Sequence, residues 1–174
     1  YCEAYHLPFI HPGLNSYSRL EDHYNIIPAP AYAGQGSTVY EPQISNDGRA
    51  FPNFEGLSQK WSSGAEYVAL FPNLLLGVHR DHCFCIILVP NGPNCTIEHI
   101  EIYYAQDAAT KSAFADMRAT NTSMWRDIFI EDVFVVEGMQ KGRHSSKYDG
   151  GKFSAVMDAP THHFHKWVAT ALRR

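Results

Sequence analysis

Long apolar runs, cysteine and charge are scarce in this chain. It has no stretch of 18 apolar residues, so no membrane-spanning helix and no membrane partner are expected. Four cysteines in 174 residues are too few for a disulfide framework in a chain long enough to build its own core. With no signal peptide at its start, a cytoplasmic setting is the expectation. Asp and Glu exceed Lys and Arg by 18 to 14, and the basic residues form no stripe, which argues against a nucleic-acid partner. Ser145, Ser146 and Ser154 lack a nucleophile-elbow setting, and no glycine-rich phosphate loop occurs. Those two absences disfavour serine hydrolysis and nucleotide chemistry. Histidine, by contrast, occurs ten times, and imidazole is both a metal ligand and a titrating group near neutrality.

A composition of 45% hydrophobic residues supports one packed domain. The first segment, Tyr1 to His11, reads as helical up to Pro8, with Pro12-Gly13 ending it. From Gly13 to Ser63 the chain is rich in Pro, Gly, Asn and Ser and reads as long loops, with one short strand at Ser37–Tyr40. Four runs rich in Val, Ile, Leu, Phe and Tyr follow, at 66–71, 74–79, 82–89 and 96–105, separated by turn residues at hairpin spacing. Helices are expected at 107–119 and 121–141, and a last one opens at Asp158-Ala159-Pro160, with Arg173 and Arg174 at its negative end. Strands first and helices after give an α+β architecture, an antiparallel sheet with helices on one face.

Asp132 is the most informative residue. At the helical period it falls in the middle of a stripe made by Trp125, Ile128, Phe129, Val135, Val136 and Met139, which is expected to face the core. A buried carboxylate there must be hydrogen-bonded, paired or bound to metal. Glu3-Ala-Tyr-His6 followed by His11-Pro12 is the second signal. Glu3 and His6 would share a helical face, and His11 sits where a proline-distorted backbone could return it towards them. One core and one surface histidine beside a turn is the plainer reading of that pair. Two histidines and one carboxylate from distant segments would form a facial triad for Fe(II), and zinc would accept the same set. His79-Arg80-Asp81-His82 reads as a hairpin turn flanked by ordinary histidines. His82-Cys83-Phe84-Cys85 reads as structural, Gly150-Gly151 as a turn, and His162, His163 and His165 as solvated or at a subunit contact.

Glu3-x-x-His6-x4-His11-Pro12-Gly13-Leu14, and Glu131-Asp132 through Glu137, Gln140 and Gly142, resemble the catalytic domain of Rieske non-haem iron oxygenases. Phe71-Pro72-Asn73-Leu74-Leu75-Leu76 and Phe164-His165-Lys166-Trp167-Val168 are similar to the same family. The likeness runs over nearly the whole chain and is greatest to the choline-, betaine- or carnitine-monooxygenase-like branch. It implies a helix-grip (START/Bet v1-like) sheet wrapped around a long C-terminal helix, with the substrate cavity between. It implies that His6, His11 and Asp132 bind a mononuclear Fe(2+), and that Glu3 is the electron-transfer bridge to the neighbouring subunit of a homotrimer.

A [2Fe-2S] Rieske cluster needs two Cys and two His, and Cys2, Cys83, Cys85 and Cys95 show no such pairing with histidine. The expectation is therefore that residues 1–174 form a single catalytic domain whose N-terminal Rieske domain is absent from this chain. That domain would relay electrons from a reductase or ferredoxin. The expected partners are O2 and a small organic substrate, which the chain would hydroxylate or oxidatively demethylate. Trp61, Trp125, Tyr103, Tyr104 and Phe129 are the candidate aromatics for stacking on a ring or caging a quaternary ammonium. A metal-free module binding a hydrophobic ligand and a zinc-dependent hydrolase are the alternatives.

Overall fold

A computed structural model of the chain describes residues 1–173. A 3-10 turn at Ala4–His6 runs into α1 (Leu7–Ile10) and α2 (Pro12–Asn15). Then come β1 (His23–Ala29), β2 (Tyr32–Ser37), β3 (Ala65–Leu70), β4 (Leu74–Val78), β5 (His82–Pro90) and β6 (Thr96–Tyr104). The chain ends in the 29-residue α3 (Ala115–Arg143) and in α4 (Ala159–Ala171). The strands form one antiparallel meander in chain order. The architecture is α+β with a helix-grip-like arrangement, as expected. Among the described residues no helix is long and apolar enough to cross a membrane.

The last four strands match the four apolar runs closely, because their alternation decides both face and register. On β5, His82, Phe84 and Ile86 point inward and Cys83 and Cys85 outward. Phe84 and Ile86 form the main core with Trp125 of α3, and Tyr67, Ile102, Ile128 and Phe129 pack around them. Truncating a buried aromatic of this kind costs about 3–5 kcal/mol. The cysteines are all free.

The stretch read as loops contains β1 and β2, which is a correction. β2 (Tyr-Ala-Gly-Gln-Gly-Ser) carries no β-branched residue, yet it is buried almost throughout. Small residues are required there by crowding. A Cβ on Gly34 would stand 2.2 Å from the Tyr67 carbonyl oxygen, and one on Gly36 would strike the Tyr24 ring. Tyr24 is the register partner of Gly36, and Phe84 covers its own register partner Gly77 in the same way. An aromatic laid over a cross-strand glycine restores the burial that the glycine lacks.

The helices differ in three respects. Pro8 stands in the first turn of α1, where a missing N–H has no consequence, and Pro12 opens α2 rather than ending a helix. The two helices expected after β6 are short 3-10 turns followed by the single α3. Asn121, taken as a helix start, is buried mid-helix and donates to the Tyr104 hydroxyl at 3.2 Å. The third difference bears on the site: the apolar stripe of α3 is buried only in its first half. Val136 is 63% exposed and Met139 51%. Asp132 stands where burial ends, its side chain 40% exposed, so it is a rim carboxylate and not a core one. α4 packs on β1 and β2, where Phe164 and Trp167 meet Phe71, and His163 lies 3.0 Å from the Ala29 carbonyl. His162 and His165 are exposed. The turn at Gly150-Gly151 has positive φ at both residues. Arg174 lies outside the described residues.

Candidate metal centre

The N-terminal segment is anchored by Ala4 and Leu7, which are buried against Met157. Asp158 accepts the Tyr5 hydroxyl at 2.7 Å and holds the same segment to the start of α4. The helix then breaks at His11, whose φ and ψ of -118° and 69° are not helical. The following Pro12 disfavours helical backbone at the residue before it. The break turns the His11 ring back onto His6, edge to face at 5.2 Å between centroids.

Asp132 reaches this pair from α3. Its Oδ1 lies 3.2 Å from His11 Nε2 and 3.9 Å from His6 Nε2, and one ligand atom from each of the three residues lies within 4.8 Å of the others. Two atoms bound at right angles to one ion at about 2.1 Å stand about 3.0 Å apart. The 3.2 Å spacing matches that value and the 3.9 Å spacing is somewhat wider.

The opposite nitrogens are held. His6 Nδ1 lies 2.6 Å from the Glu3 carbonyl oxygen, with the Glu3 carboxylate further off at 3.5 Å. His11 Nδ1 lies 2.7 Å from Glu131 Oε2. Both acceptors fix the proton on Nδ1 and leave Nε2 for an ion, the arrangement by which outer carboxylates and carbonyls orient metal-binding imidazoles. The donor set therefore fits a divalent first-row metal. Burial alone would lower the His11 pKa, but the carboxylates of Asp132 and Glu131 outweigh it and raise it. Asp132 shows the mirror image: burial pushes it up, and the His11 hydrogen bond and charge bring it down. Burial lowers the pKa of His6.

His6, His11 and Asp132 stand at one side of a cavity of about 90 Å3. Tyr1, Tyr40, Tyr67, Phe84, Trp125 and Phe129 contribute its aromatic walls. Of the five aromatics singled out from the sequence, only Trp125 and Phe129 line it. Trp61 lies under Lys60, Tyr103 is exposed, and Tyr104 packs on Phe51. The other wall aromatics carry no local pattern that marks them, and the contact of Glu131 with His11 is not marked by one either.

The polar tips of the wall residues are engaged within the protein. Tyr1 donates to the Leu76 carbonyl at 2.5 Å, Tyr40 to Asp81 at 2.8 Å, and Trp125 to His82 at 2.8 Å; the Tyr67 hydroxyl lies 3.3 Å from His79 Nε2. His23 is likewise satisfied, by Gln35 at 2.7 Å and Ser18 at 3.0 Å. Ser18, Gln35 and Ser37 also line the cavity, and its single carboxylate is Asp132.

Behind these walls His79 is fully buried and stacked on His82 at 4.4 Å. Burial holds its pKa well below the ordinary histidine value, and burial also lowers His23. A group with a depressed folded pKa contributes stability above its unfolded value of about 6.5 and loses it as pH falls. Three histidines are depressed and one, His11, is raised, so the net sign is loss of stability in acid. Between pH 7 and pH 5 the urea midpoint is expected to fall, with each depressed histidine contributing up to about 1.4 kcal/mol per pH unit. A His79→Leu chain should show a shallower fall, measured by urea unfolding at each pH.

The whole chain, residues 1–174, matches the family described as ring hydroxylating alpha subunit (catalytic domain). It is 27% identical over 164 residues to the chloroplastic choline monooxygenase of Arabidopsis thaliana, covering 93% of this chain and 35% of that protein. It is 26% identical over 184 residues to a putrescine 2-hydroxylase of Bordetella bronchiseptica, covering 96% of this chain and 40% of that one. A solved quaternary ammonium Rieske monooxygenase in complex with an inhibitor superposes with a TM-score of 0.71 at 18% identity, over 97% of this chain and 43% of that one. A second, whose structure is described as bearing on carnitine oxidation by gut microbiota and inter-subunit electron transfer, gives a TM-score of 0.66 at 17% identity, over 98% of this chain and 44% of that one. The chain thus spans less than half the length of the proteins it matches.

Proposed function

The chain belongs to the ring hydroxylating alpha subunit family, as its catalytic domain, and on that premise we propose that it is the oxygenating half of a Rieske-type monooxygenase acting on a small alkylammonium. The observation that carries this reading is the convergence of His6 Nε2, His11 Nε2 and Asp132 Oδ1 at the edge of an aromatic cavity. These three would hold a mononuclear ferrous ion. When bound, that ion would supply reductive activation of O2, with two electrons arriving from a [2Fe-2S] Rieske cluster on another domain. Overall, substrate R–H, O2, two electrons and two protons give R–OH and water. A hydroxylated carbon next to nitrogen would release a dealkylated amine.

The chain's own residues have separate tasks. The Glu3 carbonyl and Glu131 keep the two imidazoles in one tautomer. The Glu3 carboxylate, partly exposed beside His6, suits the role of bridge to a neighbouring subunit's cluster in a homotrimer. Trp125, Ile128 and Phe129 line the cavity beside Asp132.

The substrate class follows from the walls. A volume of about 90 Å3 is roughly six to nine water positions, enough for a ligand of similar heavy-atom count. A quaternary ammonium needs no hydrogen-bond acceptor and is held by ring faces through cation–π attraction. A primary ammonium must replace its strong hydration with acceptors, and this cavity has one carboxylate, which is assigned to the metal. Choline-like cations are therefore favoured over a diamine.

The test needs no turnover. The chain, loaded anaerobically with one equivalent of ferrous ion and treated with nitric oxide as an O2 surrogate, should give an S = 3/2 EPR signal. Choline should perturb that signal at concentrations at least about tenfold lower than putrescine. No signal sinks the iron assignment, and equal or reversed potency sinks the substrate class.

A further inference from the structure

Asp81 and His82 form a buried polar pair that the metal site does not use. They lie in and just after the turn joining β4 to β5, and their side chains are 0% and 1% exposed. Asp81 Oδ1 lies 2.7 Å from His82 Nδ1, and both Asp81 oxygens accept the Tyr40 hydroxyl, at 2.8 and 3.1 Å. On its other side His82 Nε2 lies 2.8 Å from Trp125 Nε1. An indole N–H only donates, so Nε2 carries the lone pair and Nδ1 the proton. The direction of the whole chain is thereby set: Tyr40 to Asp81, His82 to Asp81, Trp125 to His82.

The turn itself is pinned from three sides. His79 N–H donates to the His82 carbonyl at 3.0 Å, Phe54 N–H to the Arg80 carbonyl at 2.8 Å, and Ala105 N–H to the Asp81 carbonyl at 3.0 Å. His79 stacks on the His82 ring with the planes 12° apart and meets Trp125 at 5.1 Å. The network starts and ends at cavity walls, since Tyr40 and Trp125 both line the cavity. Both polar tips are drawn out of the cavity into the protein.

We propose that the Asp81–His82 pair positions the substrate: it clamps the Tyr40 and Trp125 rings so that these two walls present π surface, and not their O–H and N–H donors, to a cationic ligand. The inference rests on the alkylammonium reading of the cavity. Without the clamp the indole N–H and the phenol must find other partners. Each donor that turned inwards would meet a ligand carrying the same sign of charge.

Histidine has isosteres that cut the chain at chosen points. Asn at position 82 reproduces the Nδ1 donor towards Asp81 and abandons Trp125. Gln reproduces the Nε2 acceptor towards Trp125 and abandons Asp81. Tetramethylammonium is the probe, titrated by calorimetry into the iron-loaded chain. His82→Asn should weaken its binding about tenfold. In a Trp125→Phe background, which has no N–H to anchor, the same change should alter binding less than about twofold. Iron content should stay within twofold throughout. An equal loss in both backgrounds would mean a merely structural role and overturns the proposal. If the iron-loaded wild type binds no tetramethylammonium, the alkylammonium reading falls and the clamp is judged on Trp125 alone. Its indole N–H, assigned against Trp125→Phe, should then exchange at least about tenfold faster with solvent in His82→Asn than in His82→Gln. Equal rates refute the clamp.

Discussion

A His6→Ala, Asp132→Ala chain is expected to retain no iron after gel filtration, where the wild type should hold one ion per chain. The double substitution leaves His11 Nε2 as the only one of the three converging atoms, and a single imidazole does not compete with water for a labile divalent ion. Loss of one outer-sphere partner lowers metal affinity by about 10–100-fold, and loss of two ligands exceeds that range. Glu131→Ala supplies the graded comparison. It removes the acceptor 2.7 Å from His11 Nδ1 and should fall within that tenfold to hundredfold window, whereas Glu131→Gln keeps an oxygen in place and should lose less.

These losses will not be unfolding in disguise. Asp132 and Glu131 are 40% and 45% exposed at the side chain. Ion pairs so open to solvent contribute of the order of 1 kcal/mol or less, and His6 meets Asp132 only at 3.9 Å, so the urea midpoints of the double variant and of Glu131→Ala should stay near the wild-type value. Metal analysis and urea unfolding on the same preparations separate the two effects. Iron retained at one equivalent by the double variant would remove the basis for the site.

A large loss of stability is expected from a single methyl group. In Gly34→Ala the new Cβ would stand 2.2 Å from the Tyr67 carbonyl oxygen and 2.8 Å from the Val68 Cα. Both obstacles are backbone, so no rotamer change relieves them. Val68 is the register partner of Gly34, and β2 is hydrogen-bonded on both edges, to β1 and β3. Relief requires β2 and β3 to separate, which breaks the ladder that holds the cavity residue Tyr67. The cost should reach about 3 kcal/mol, the upper end for overpacking, and be read as a lower urea midpoint. Gly138→Ala is the control. It adds a methyl group in open space within α3 and should stabilise by about 0.5–1 kcal/mol through helix propensity.

The contrast between these glycines explains which elements can be read from the chain alone. β3 to β6 are legible because apolar and β-branched residues alternate at period two between turn residues. β1 and β2 are not, because their residues answer to neighbours: Gly34 to the β3 backbone and Gly36 to the Tyr24 ring. α3 is legible as a helix, but its extent of burial is not. A stripe from Trp125 to Met139 looks uniform in sequence, and only the body it packs on decides that burial ends near Asp132.

The site divides in the same way. Glu3, His6, His11 and Asp132 stand out in sequence because a spaced Glu-x-x-His-x4-His and an acid inside an apolar stripe are local patterns. The proline after His11 even foretells the backbone break that turns its ring. Sequence by itself therefore marked His6, His11 and Asp132 as a candidate two-histidine, one-carboxylate set and placed the last four strands of the meander. Tertiary structure decided the rest: that Glu131 backs His11 across 120 positions of chain, that Tyr40, Asp81, His82 and Trp125 form one directed network, and which aromatics wall the cavity. Periodicity reports how a residue sits relative to its own helix or strand. Hydrogen bonds between segments far apart in the chain depend on how the α3 helix and the sheet pack, and no local pattern encodes that distance.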